Sequence, residues 1–262
     1  MKKIAIVTGA SSGLGREFIL QLLKKNCLDE IWLIARRKDR LNELCRSFMF
    51  SNSSCMPRPL ELDLTCQQSF ESIRVLLEKE NPSVQYLINA AGFGKIGSWK
   101  DISLQDCTGM IDLNCKAAVA MTQLVLPYMG KGSCILEICS TAAFQPFPYL
   151  GVYSATKSFL YRYSRSLRTE LLGSGIHVTA VCPYWIKDTE FISNAQKTRN
   201  SSFIRHFPLA SRSKNVVKRS LADAKLGLPV STPGPVCTLH RIAAKILPGE
   251  LMMGIWELIR RL

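Results

Sequence analysis

The feature that most limits what this chain can become is a repeated alternation of short apolar runs with stretches of helical periodicity. The apolar runs are "KIAIV" (3 to 7), "EIWLIA" (30 to 35), "RPLELDL" (58 to 64), "VQYLINAAG" (84 to 92), "SCILEICS" (133 to 140) and "HVTAVCP" (177 to 183). Helical patterns lie between them, over "REFILQLLKK" (16 to 25), "RRKDRLNELCRSF" (36 to 48), "QQSFESIRVLLEKE" (67 to 80), 103 to 129, and about 153 to 172. A strand that is apolar at nearly every position is buried on both faces, so helices must cover both sides of the sheet. Strands separated by helices pair in parallel, and the predicted class is α/β, a doubly wound parallel sheet with helices on both faces.

No repeat or low-complexity linker interrupts the series, so residues 1 to 262 are assigned to one domain. Beyond Pro183 the pattern loosens. Residues 187 to 213 are polar, basic and Ser-rich, and are expected to form a mobile segment over the carboxyl ends of the strands. A helix over about 214 to 226 and a short strand at "LPVSTPG" follow, and an apolar, basic helix is expected over about 248 to 262.

Charge is less even than the 47% hydrophobic composition, with 34 Lys and Arg against 20 Asp and Glu, a formal +14. The last quarter, from 190 onward, holds 12 basic and 4 acidic side chains. The basic residues are dispersed and accompany no base-reading motif, so nucleic acid is not an expected partner. Ten cysteines show no CxxC pair and no metal-ligand spacing. Reduced thiols in a cytoplasmic protein without a metal are expected. The apolar run after Met1 is too short for a signal-peptide core.

Gly9, Gly13 and Gly15 form G-x-x-x-G-x-G between the first strand and its helix, with Ser11, Ser12 and Leu14 filling the loop. Glycines there let backbone approach a pyrophosphate, which meets the unpaired N–H groups and positive dipole end of the helix. The end of the second strand then decides between nicotinamide cofactors. A carboxylate binds the ribose 2′-hydroxyl of NAD, whereas a cation accommodates the 2′-phosphate of NADP. Here Ala35 is followed by Arg36 and Arg37. Guanidinium meets phosphate in two parallel hydrogen bonds, so Arg36 is the first choice for NADP(H), with Arg37 assisting and Lys38 and Arg40 solvated.

Tyr153 and Lys157 in "YSATK" stand one helical turn apart. A neighbouring ammonium lowers a phenol pKa and makes Tyr153 an acid or base usable at neutral pH. With "TGASSGLG", "LDL" at 62 to 64, "NAAG" at 89 to 92, Asn114, Ser140, "YSATK" and "TEF" at 189 to 191 in this order, the chain resembles the short-chain dehydrogenases/reductases over nearly its whole length.

That resemblance implies a Rossmann-type fold and an oxidoreductase. It makes Tyr153 the proton donor to a carbonyl oxygen, Lys157 the holder of the nicotinamide ribose, and Ser140 a hydrogen-bond donor to the substrate oxygen. Asn114 would hold a water linking Lys157 to solvent; alternatively it is a helix-interior amide bonding to backbone. Asp63 and the Leu64 backbone would meet adenine. Asn89 and Ala90 would line the adenosine side or brace the central strands. Ile186 and Thr189 would meet the nicotinamide amide. Where the family shows Pro-Gly, this chain has "CPYWIKDTEF", placing Tyr184 at the glycine position and adding one residue before Thr189. Tyr184 and Trp185 either wall the substrate or fill core.

Candidate pocket residues are Phe93, Gly94, Ala142, Phe144, Phe147, Tyr149, Tyr184 and Trp185, an apolar and aromatic set. They suit a hydrophobic ketone or alcohol such as a steroid, bile acid or long-chain lipid. The alternatives are a 3-oxoacyl reductase acting on carrier-protein substrates, and a non-catalytic NADPH-sensing module. A homo-oligomer, dimer or tetramer, is expected. The tail packs on its own domain or on a second subunit, or else rests peripherally on an anionic membrane.

Overall fold

The computed structural model describes residues 1–24, 27–49 and 54–260. Lys25, at the end of the first expected helix, and Arg261, in the expected basic tail, lie outside them. Among the described residues, β1 (Lys3–Thr8), β2 (Glu30–Ala35), β3 (Met56–Glu61), β4 (Ser83–Asn89), β5 (Met129–Ile138), β6 (His177–Val181) and β7 (Val230–Ser231) form one sheet. Its order is β3-β2-β1-β4-β5-β6-β7, and every pairing is parallel. The chain winds outward from β1 in both directions, so the order reverses between β1 and β4. Ligands of such sheets bind outside the carboxyl ends of the strands at that reversal.

Side-chain alternation builds the two cores. Ala5 and Val7 of β1 join Ile31 and Leu33 of β2 on one face, under α1 (Gly13–Leu23), α2 (Lys38–Met49) and α8 (Ser213–Lys225). Ile4, Ile6, Trp32 and Ile34 occupy the other face, under α3 (Gln67–Glu80), α5 (Ala117–Val125) and α6 (Gly151–Glu170). All eight are buried, which is why these strands lack polar alternation. The edge strand β3 tolerates Pro57 and Pro59 because a missing ladder donor costs little there.

The expected helix over 103 to 129 is interrupted. It runs as α4 (Leu104–Ile111), a π-helical turn over Asp112–Lys116, α5, and a 3₁₀ turn over Leu126–Tyr128 with Pro127 in its first positions. Strand β5 starts at Met129, earlier than the apolar run. The last strand shrinks to two residues, and the tail divides at Leu247 and Pro248 into α9 (Pro235–Ile246) and α10 (Gly249–Ile259). Proline cannot continue a helix, and Pro248 starts the second one.

The segment over 187 to 213 carries α7 (Phe191–Ala195) and is anchored by buried Ala195 and Ile204. Its ends are tied together, Lys187 N donating to Ser211 O at 3.1 Å and Ser211 N to Trp185 O at 2.8 Å. None of the ten cysteines, all within the described residues, is disulfide-bonded. Among the described residues, no helix is long and apolar enough to cross a membrane.

Candidate active site

A cleft of about 1010 Å³ opens over the carboxyl ends of β1, β2, β4 and β5. Gly9, Ser11, Ser12, Gly13, Leu14 and Gly15 line its floor at one end. Gly9 has φ +66°, and a Cβ there would lie 2.9 Å from the backbone of Ala90 and Ala91. At Gly15 a Cβ would come within 2.3 Å of the Gly9 carbonyl oxygen, so any side chain would part the helix from the loop. The first turn of α1 contains no acidic residue, and Ser12 caps it without using its hydroxyl. A bare, uncharged helix N-terminus beside close-packed glycines fits a dinucleotide pyrophosphate.

Arg36 and Arg37 both line the cleft. Arg36 is exposed and 3.6 Å from Asp63 Oδ2. Arg37 is the more firmly held, its Nε and Nη2 donating to Ser11 Oγ at 3.2 Å and Ser12 Oγ at 2.6 Å. Lys38 and Arg40 are exposed, as expected, and each also makes a surface ion pair, Lys38 with Glu61 at 3.3 Å and Arg40 with Glu190. Asp63 accepts from Thr65 N at 3.0 Å and Thr65 Oγ1 at 2.8 Å. Burial acts to raise its carboxyl, but these bonds and the Arg36 charge outweigh it and hold Asp63 below its ordinary range. Leu64 and Ala90 line the same end of the cleft.

Ser140, Tyr153 and Lys157 come together at the other end, at the tip of β5 and along α6. The Ser140 hydroxyl stands beside the Tyr153 phenol and favours its ionised form, and Ser140 Oγ accepts from Ala142 N at 3.1 Å. Burial pushes the Tyr153 phenol above its ordinary value, the Ser140 bond offsetting part. The lowering expected from Lys157 is therefore reversed. Lys157 is itself lowered by burial, and its Nζ donates to Ile138 O at 2.7 Å.

Asn114 sits in the π-helical turn, an irregularity that often marks functional positions. Its Oδ1 accepts from Phe93 N at 3.0 Å, and its Nδ2 donates to Phe93 O at 2.9 Å and Thr156 Oγ1 at 3.0 Å. The amide thus clamps the loop after β4 to α6. Gly92 makes room for this, since a Cβ there would meet Asn114 Oδ1 at 2.7 Å.

Phe93, Gly94, Ala142, Phe147, Tyr184, Trp185 and Ile186 line the substrate end. Tyr184 and Trp185 form a wall and also pack, Trp185 meeting Phe207 edge-on at 4.7 Å between ring centres. Thr189 reaches across to the glycine loop, 3.8 Å from where a Gly13 Cβ would stand.

Three expected site residues point elsewhere. Asn89 turns into the sheet, donating to Glu137 Oε1 at 2.9 Å and Thr122 Oγ1 at 3.0 Å, so it braces strands and does not line adenosine. Phe144 packs edge-on against Tyr161 and His240, outside the cleft. Tyr149, at φ +67°, stacks on Phe203 at 4.1 Å and under the Arg260 guanidinium at 4.3 Å. Sequence reasoning missed Leu150, Glu190 and Phe191, which do line the cleft. The "TEF" triplet was a usable signal for the last two.

The geometry agrees with what known proteins show. The family model described as short chain dehydrogenase matches residues 3–200. Sulfoacetaldehyde reductase 2 of Chromohalobacter salexigens is 32% identical over 198 residues, covering 73% of this chain and 75% of that one. The 17-beta-hydroxysteroid dehydrogenase type 3 of Mus musculus is 28% identical over 213 residues, covering 78% and 68%. A short-chain dehydrogenase from Sphingobium yanoikuyae in complex with NADPH superposes with TM-score 0.80 at 26% identity, over 97% of this chain and 94% of that chain. With its glycine loop, sheet order and Ser140, Tyr153 and Lys157 at one end of a nicotinamide-cofactor cleft, this chain belongs to the short-chain dehydrogenase family and is an oxidoreductase.

Proposed function

We propose that the protein is an NADPH-dependent reductase that converts a hydrophobic ketone to a secondary alcohol, of steroid, bile-acid or lipid type. The observation that carries this reading is the Ser140–Tyr153 pair facing a cleft lined by Phe93, Ala142, Phe147, Trp185 and Phe191. Such a lining offers little to a small charged aldehyde and much to a flat apolar skeleton.

The bound cofactor supplies the hydride. Ser140 Oγ and Tyr153 Oη hold the carbonyl oxygen, and their hydrogen bonds strengthen as charge develops on it. Tyr153 keeps its phenolic proton at neutral pH and donates it to that oxygen during reduction. Lys157, one turn further along α6, would hold the nicotinamide ribose with the ammonium that now donates to Ile138 O. Arg36 and Arg37 would receive the 2′-phosphate, and the N-terminus of α1 would take the pyrophosphate. Asn114 fixes the distance between the loop carrying Phe93 and the helix carrying Tyr153.

The test is a screen of ketones and alcohols with NADPH and NADP⁺, run on wild type beside Tyr153→Phe. Turnover of hydrophobic ketones is expected to fall about 10²- to 10⁴-fold in the variant, with NADPH binding retained. Turnover confined to small polar sugars, or an unimpaired variant, would overturn the proposal.

A further inference from the structure

Glu190 stands on the rim of the cleft, directly after Thr189 and across from the glycine loop. Its carboxylate accepts from Arg37 Nη1 at 3.0 Å and from Arg40 Nη1 at 2.5 Å. Arg37 Nε and Nη2 donate to Ser11 and Ser12. All three nitrogens of the Arg37 guanidinium, which is proposed to receive the 2′-phosphate together with Arg36, are therefore engaged before any phosphate arrives. The second strand ends without a carboxylate, but the fold delivers one to the same spot from 153 residues away.

Resting on that reading of the cofactor, we propose that Glu190 is a selectivity residue: an internal anion that the 2′-phosphate must displace from Arg37 and Arg40, restraining the preference for NADPH over NADH. A carboxylate and a phosphate dianion on one guanidinium repel each other. A cofactor with only a ribose hydroxyl there brings no competing charge and leaves the bridge intact. Arg37, Arg40 and Glu190 are each about two-fifths exposed, so solvent screens the effect and keeps it moderate. Glu190 is held below its ordinary range by the two guanidinium groups, and so is ionised wherever the enzyme works.

Calorimetric titration of wild type and Glu190→Gln with adenosine 2′-phosphate, adenosine 5′-phosphate, NADPH and NADH tests this. In the variant, adenosine 2′-phosphate and NADPH are expected to bind about fivefold more tightly at low salt, a gain that shrinks as salt rises. Adenosine 5′-phosphate and NADH are expected to bind as in wild type. Unchanged or weaker NADPH binding, or an equal gain for NADH, overturns the role of Glu190 while leaving a wild-type preference for NADPH standing. A wild type that takes NADPH and NADH alike and ignores adenosine 2′-phosphate removes the cofactor reading and the Glu190 role with it.

Discussion

Glu137 carries a carboxyl into the middle of the sheet with no solvent exposure, and only its Oε1 has partners there, Asn89 and Thr122. Burial pushes this carboxyl up to about 7, against the hydrogen bonds and the charge of Lys157. The unfolded chain releases the same proton near about pH 4.3. Between those values the folded state holds a proton that the unfolded state has lost. The contribution of Glu137 to stability is thus full below about pH 4, declines as pH rises to about 7, and then levels off. Glu137→Gln keeps an acceptor for Asn89 and removes the ionisation. Its melting temperature should lack that decline and exceed wild type at pH 8 by about 3 °C or more, as thermal scans across pH would show. A decline identical to wild type would contradict this. The direction of Asn89 explains why some site residues were misplaced from sequence. Neighbours in a strand face opposite sides, so when Ala90 lines the cleft, Asn89 faces the core. The motif named the residue but not its side of the sheet. The ion pair of the solvated Arg40 was not legible for a different reason, because its partner lies 150 residues away and no local pattern announces it.

At the scale of elements, apolar periodicity located nearly every strand and helix, since burial on two faces leaves a strong imprint. Interruptions were harder to see. The π-helical turn at Asn114 has good helix formers on both sides, and its cause is tertiary, the clamp onto Phe93 and Thr156. The tail shows the same limit. An apolar helix was legible, but which side it buries was not. Met252 and Trp256 of α10 are buried, while Leu251, Ile255, Leu258 and Ile259 face outward. Trp256 meets Phe147 edge-on at 4.9 Å and donates to Pro148 O at 3.3 Å. Since Phe147 also lines the cleft, Trp256→Ala should cost about 3 kcal/mol in denaturant unfolding and weaken substrate binding more than NADPH binding. Equal loss of both, or no loss of stability, would argue that α10 is a passive cover.

For the whole molecule, the reversal of strand order between β1 and β4 is what makes a cleft at all. Residues from Gly9 to Phe191 reach one place because every strand ends on the same side of a single parallel sheet. A ligand bridging that many elements stabilises the fold by its own binding free energy. NADPH at about 100 times its dissociation constant should add about 2.7 kcal/mol, read as a concentration-dependent rise in melting temperature. A melting temperature indifferent to NADPH would mean that the cleft does not hold it.

The two ends of the chain stand in unequal relation to this cleft. β1 enters the sheet at Lys3 and reaches the glycine loop after Thr8, so the amino end of the strand lies about 16 Å from the loop, at the opposite end of the sheet from the cleft. Arg260, by contrast, lies against Tyr149, one helical turn from the tryptophan that backs the substrate wall. An affinity tag or fluorescent fusion on the amino side of β1 is expected to leave turnover unchanged, whereas the same cargo directly after α10 is expected to weaken substrate binding. Preparations tagged at opposite ends are therefore not interchangeable in a search for the substrate.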